Sequence, residues 1–364
     1  MLKQIVSLTI GLLLLVLISC TPKGGDKTSH QVLSKNIEYD VTINNFKMFS
    51  AWGLNTSGVY WYRDNLESST RNAFLELLFK NALAGKLELY DMNDKVIDTN
   101  HLKDLMLVSK DTITATRTEP PYDTFDTVIN KTIEPAEITA FRFREEWTYD
   151  TETMAIKKKV IAFAPIWTPI SSDNEGKETY GKNKALFWVK WSKEPANTKV
   201  LTKRILYTIN YIGTDSWEKA THVDSMAIQK YMNLFLKRIY KDSIAAYDVV
   251  EGDLTTLPVS GKYLYKILNR TDTIKQKRTE PPYDTYDTII KHTANVNAIR
   301  FLEEWSFDPI TMAIEKKVVG ICPVELCYDM NNDFKGYKPY FWVYFGDIWK
   351  PFDGKLELQK KKQK

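Results

Sequence analysis

Two glutamates and two lysines stand where chemistry is conceivable. Glu145 and Glu303 each interrupt a run of aromatic residues, around Phe141, Phe143 and Trp147 and around Phe301 and Trp305, and Lys158 and Lys316 follow them at the same spacing. A carboxylate among aromatics must be matched by a partner or stay neutral, so it acts either as a general acid or base or as half of an ion pair. Acid–base catalysis needs a second reactive group within hydrogen-bond reach, and none recurs near either glutamate. The expectation is therefore structural: Glu145 paired with Lys158, Glu303 paired with Lys316, and no catalytic residues.

Other chemistry finds little support. His30, His101, His222 and His292 lack metal-ligand spacing, and Ser260-Gly261-Lys262 lacks the upstream glycine of a phosphate-binding loop. Asp329-Met-Asn-Asn-Asp333 starts like a calcium loop, but Phe334 stands where glycine is needed and Tyr340 where glutamate is needed. No cofactor or metal is expected. The aromatic groups Phe187, Trp188 and Trp191, and Phe341, Trp342, Tyr344 and Phe345, with Trp349 beyond them, fit strand cores, or an interface where they leave the core.

The elements that must position these groups are written twice. Residues 140–165 match residues 298–323 at 15 of 26 positions, and Phe187-Trp-Val189 recurs as Phe341-Trp-Val343. The loop RTEPPYDTFDT at 117–127 returns as RTEPPYDTYDT at 278–288 with one change, whereas segments 71–91 and 228–248 share only 4 of 21 residues. Two explanations fit so fixed a loop. Pro120-Pro121-Tyr122 and Pro281-Pro282-Tyr283 either impose an exacting, polyproline-like passage or form a shared contact surface.

Phe74, Leu77, Leu78 and Leu83 have helical spacing, and strands with alternating faces follow. One face of 140–149 carries Phe141, Phe143, Glu145, Trp147 and Tyr149; the second copy carries Phe301, Glu303, Trp305 and Phe307. Asp308-Pro309-Ile310-Thr311 suits a turn, so each copy contains a hairpin. Pairing Tyr149 with Met154 would set Glu145 opposite Lys158, and the same register would set Glu303 opposite Lys316. The fold expected is α+β, a tandem duplication in which each half is an amphipathic helix followed by a mostly antiparallel sheet with a long hairpin.

With 364 residues, 43% hydrophobic, the chain can build about two domains, and 50 Lys+Arg against 46 Asp+Glu leave a net +4 that gives no field for nucleic acid. Residues 1–19 have a basic start and a short apolar run that suit a signal peptide, and Leu17-Ile18-Ser19-Cys20 resembles a lipobox whose cysteine is acylated. Residues 20–36 are expected to be a tether, 37–198 the first repeat, 199–354 the second, and 355–364 a basic tail. Export would permit a disulfide between Cys322 and Cys327, while the segment Cys-Pro-Val-Glu-Leu-Cys suits one buried and one free thiol equally.

Three ordered blocks carry a resemblance: Ala246-Tyr-Asp248; Glu303-Glu-Trp-Ser-Phe-Asp308 through Val318-Val-Gly-Ile-Cys-Pro323; and Phe341-Trp-Val-Tyr-Phe345. Their counterparts are Glu145-Glu-Trp-Thr-Tyr-Asp150, Ala162-Phe-Ala-Pro165 and Phe187-Trp-Val189. In these the chain resembles the GldN/PorN family of gliding-motility and type IX secretion proteins. The resemblance implies a non-enzymatic structural or adaptor subunit in the periplasm, assembling with an envelope or secretion-machinery protein such as a lipoprotein ring subunit, and with copies of itself. With Cys20 acylated, it would be an outer-membrane lipoprotein facing the periplasm. The competing expectation is a ligand- or peptide-binding lipoprotein unrelated to secretion.

Overall fold

The computed structural model describes residues 29–43, 66–173, 178–192, 194–212, 220–250, 253–269, 271–277, 279–283, 286–292, 295–329, 331 and 334–346. The expected signal peptide, Cys20, Trp349 and the expected basic tail lie outside them.

The first half begins with strand β1 (His30–Thr42), whose alternation buries Leu33, Ile37, Tyr39 and Val41. Helix α1 (Ser68–Leu83), β2 (Glu88–Tyr90) and helix α2 (Thr99–Met106) follow, the last capped by Asp98, whose carboxylate accepts the Asn100 and His101 amides. An outlying hairpin, β3 (Leu107–Thr116) and β4 (Thr124–Thr132), precedes the long pair β5 (Ile138–Asp150) and β6 (Ile156–Trp167). Short strands β7 (Ile170–Ser172), β8 (Glu178–Tyr180), β9 (Lys184–Ala185) and β10 (Trp188–Lys190) complete it.

The second half follows a similar order, with two strands in the place of β2 and two in the place of β7–β10. Strand β11 (Lys199–Asn210) leads to helix α3 (Ser225–Tyr240), β12 (Ala246–Val250), β13 (Asp253–Val259) and helix α4 (Gly261–Leu268). The outlying hairpin is β14 (Thr271–Lys277) with β15 (Tyr286–His292), and the long pair is β16 (Ala298–Phe307) with β17 (Ile314–Tyr328), followed by β18 (Phe334–Pro339) and β19 (Val343–Tyr344). The fold is mixed and mostly antiparallel, as expected. β1 starts at His30, so residues 30–36, assigned to a tether, are sheet: Leu33 and Ser34 are buried and the strand pairs with β5.

The main sheet runs β1-β5-β6-β17-β16-β11, with the two long hairpins side by side at its centre. Their junction is a single antiparallel bridge, Lys316 with Lys158. The sheet curls until its outer strands meet: the Tyr39 and Tyr207 rings stack at 5.8 Å. The aromatic face read from the sequence points inward, with Phe141, Phe143, Glu145, Trp147, Phe301, Glu303 and Trp305 all buried. On the opposite face Arg142 binds Asp40, and Arg144 binds Glu38 and Asp94.

The long helix of each half, α1 and α3, also packs on the other half. Phe74 of α1 meets Phe307 of β16 edge to face at 4.9 Å, and Tyr231 of α3 meets Tyr149 of β5 at 4.9 Å. The Tyr231 hydroxyl donates to the Met154 carbonyl, and the Asn81 amide to the Pro309 carbonyl, so each helix caps the opposite hairpin turn. One apolar cluster therefore runs through both halves.

Candidate functional site

At the sheet junction the four charged residues singled out in the sequence converge, with a different pairing. Lys158 Nζ lies 2.8 Å from Glu303 Oε1, and Lys316 Nζ lies 2.7 Å from Glu145 Oε1, so the ion pairs cross between the halves. The expected pairs within each hairpin do not form because the register differs by two residues. Trp147, not Glu145, stands opposite Lys158, and the same register from the turn sets Glu145 opposite Val160, with a bulge only beyond it at Arg144/Glu145. Likewise Trp305 faces Lys316 and Glu303 faces Val318, with a bulge only beyond them at Leu302/Glu303. Tyr149 pairs with Ile156, leaving Met154 in the turn with a positive φ of 61°.

Each carboxylate has the same full set of partners. Glu145 Oε2 accepts from the Tyr39 hydroxyl at 2.6 Å and from the Trp147 indole at 2.7 Å. Glu303 Oε2 accepts from the Tyr207 hydroxyl at 2.7 Å and the Trp305 indole at 2.7 Å. Lys158 also donates to the Tyr207 hydroxyl at 2.9 Å, and Lys316 to the Tyr39 hydroxyl at 3.1 Å. Lys158 sits 3.1 Å from the Phe301 ring centroid and Lys316 3.0 Å from that of Phe143, so each ammonium also faces an aromatic ring of the opposite half.

All four charged side chains are fully shielded from solvent. Burial lowers the Lys158 ammonium and pulls that of Lys316 down to about 8, against the attraction of both glutamates. Burial pushes the Glu303 carboxyl up, but Lys158, Lys316 and the Trp305 indole outweigh it and hold the group below its usual range. Burial, then the neighbouring carboxylates, raise the Tyr39 and Tyr207 hydroxyls well above theirs. The arrangement is a neutral set of two anions and two cations: each Oε2 accepts two hydrogen bonds, and each Oε1 is held by the ammonium of the other half. Sealed in this way, it holds two strands pairs together; no substrate reaches it in this conformation.

Tyr39 and Tyr207 were missed by the sequence reasoning. Their signal is a shared alternation, Ile37-x-Tyr39-x-Val41 and Ile205-x-Tyr207-x-Ile209, at the start of each expected repeat.

The Pro-Pro-Tyr segments occupy hairpin tips. Pro120, Pro121 and Tyr122 join β3 to β4, and Pro281, Pro282 and Tyr283 lie between β14 and β15; Tyr122 is 62% exposed and Tyr283 55%. The polyproline-like passage does not form, since the chain reverses at each tip between paired strands. In the first tip Arg117 N–H donates to Asp123 O at 3.0 Å and its guanidinium pairs with the Asp123 carboxylate at 2.8 Å. Both hairpins form separate two-stranded sheets, and at about 3.3 Å per residue the β3–β4 arm is roughly 30 Å long.

Cys322 and Cys327 are both free thiols. They lie on the one strand β17, where five residues span about 16 Å, beyond the roughly 7 Å limit for bridged Cα atoms. Burial raises the Cys322 thiol to about 11. Among the described residues no group of acids, histidines and cysteines is placed to hold a metal ion, and no helix is long and apolar enough to cross a membrane. An open groove between β1 and α3 is lined by Val32, Leu33, Met226, Lys230 and Leu234.

No curated protein matches the chain. A family model does, over residues 53–221 and 227–353, spanning both hairpin pairs and both outlying arms; its description is gliding motility associated protein GldN. Matched over most of its length, the chain belongs to the GldN family of gliding motility associated proteins.

Proposed function

We propose that this chain is a non-enzymatic structural subunit of the gliding and type IX secretion machinery, anchored to the outer membrane through acylated Cys20, and built by tandem duplication of one α+β unit. Family membership supports the setting, and the recurring element order supports the duplication. The observation that carries the structural role is the contrast between core and arms. The ionisable groups of the core are consumed in holding the halves together, whereas the two near-identical Pro-Pro-Tyr tips project into solvent. Two copies of one exposed tip present the same chemistry twice, which suits an envelope partner that is itself present in repeated copies. The groove between β1 and α3 is where a ligand- or peptide-binding role would have to reside, but it is open and half polar.

The test is site-specific photocrosslinking in intact cells, with the crosslinker at position 122 or 283. Both positions should trap the same envelope protein, and palmitate labelling should report an anchor that Cys20→Ser abolishes. Recovery of uncrosslinked monomer alone from both positions, with the protein in the membrane fraction, would reject the assignment of the tips.

A further inference from the structure

The junction between the halves presents the same groups from each side. Tyr39, Phe143, Glu145, Trp147 and Lys158 on one side meet Tyr207, Phe301, Glu303, Trp305 and Lys316 on the other. Main-chain pairing of the two central hairpins is confined to the Lys158–Lys316 bridge; side chains hold the remainder. A half without its complement would leave a lysine and a glutamate buried among aromatics and unpaired. Each half is therefore built to be completed by another.

We propose that the completing half can come from a second copy of the chain. Two copies exchange halves, β1–β10 of each closing on β11–β19 of the other, and two full charge clusters are rebuilt with every cross-half contact unchanged. Only the connection between Lys190 and Lys199 must take a new path. That connection is held to the second half by the Asp308 carboxylate, which accepts the Ala196 amide at 3.0 Å and the Asn197 amide at 3.3 Å. Because the same interface forms in both states, concentration decides between them: closure within one chain corresponds to an effective concentration in the millimolar range. Exchange therefore belongs to crowded, surface-held copies.

Charge reversal tests this in the full chain. Glu145→Lys with Lys158→Glu opposes like charges within one molecule, and so does Glu303→Lys with Lys316→Glu. The two variants, refolded together, restore opposite charges in both units of an exchanged pair. Light scattering should then show a 1:1 complex of twice the monomer mass, while the variant carrying all four changes refolds as a monomer. A monomeric fourfold variant with no complex in the mixture would overturn the proposal, as would a dimer of the first variant alone, since that requires like halves to pair. The unaltered chain gives an independent measure: refolded at about 1 mM it should show at least tenfold more dimer than at about 1 µM. Monomer alone at both concentrations is the contrary result.

Discussion

At the scale of single residues, the cross-half ion pairs make a quantitative claim. A charge left buried without its partner costs about 3–5 kcal/mol, because desolvation is no longer offset by attraction or hydrogen bonding. Lys158→Met should therefore destabilise the protein by that amount, through the stranded Glu303 carboxylate 2.8 Å away. The more selective measurement is a pair of double-mutant cycles by urea denaturation. Lys158 with Glu303 should show a coupling of about 2 kcal/mol, and Lys158 with Glu145 less than half of it. Equal couplings would mean that the charges act as one undirected cluster, against the geometry in which each lysine reaches across the junction.

Among the elements, the join between α3 and α4 tolerates least. A Cβ built on Gly261 would lie 2.1 Å from the Ile239 carbonyl oxygen and 2.8 Å from the Tyr240 carbonyl carbon, all main chain that cannot turn aside. The Gly261 amide also donates to Asp242 Oδ1 at 2.6 Å, which ties the start of α4 to the turn after α3. Gly261→Ala should cost about 1–3 kcal/mol or more through overpacking, visible as a lowered midpoint in thermal unfolding. An unchanged midpoint would show that the two helices can separate without loss. The capping of these helices is ordinary by comparison: Asp224 and Ser260 each accept an amide of the first turn, the Ala227 and Tyr263 N–H groups.

For the whole molecule, the decisive feature is that neither half closes its own core. α1 reaches Phe307 and α3 reaches Tyr149, and the charge cluster takes its members equally from both sides. Two domains with independent cores would unfold in two steps. This chain should unfold in one, with the calorimetric enthalpy equal to the van't Hoff enthalpy in a scanning experiment. Two resolved transitions, or an enthalpy ratio near two, would separate the halves and remove the basis for the exchanged pairing.

The amino-acid order alone determined a good deal: the α+β class, the two-fold writing of the elements, the buried aromatic faces and the four charged residues that must find partners among them. These follow from local rules, since alternation and helical spacing are carried by neighbours in the chain. Tertiary structure alone decided which glutamate meets which lysine. The turn of each hairpin, closed by Tyr149 with Ile156 and by Phe307 with Ile314, sets a register two residues from the expected one, and the curl of the sheet brings the opposite carboxylate into reach. It also decided that Cys322 and Cys327 stay apart, through the length of one unbroken strand, and that Tyr39 and Tyr207 belong to the site. The curl depends on contacts such as Lys316 with Glu145 and Tyr39 with Tyr207, residues more than a hundred positions apart, so no window along the chain contains it.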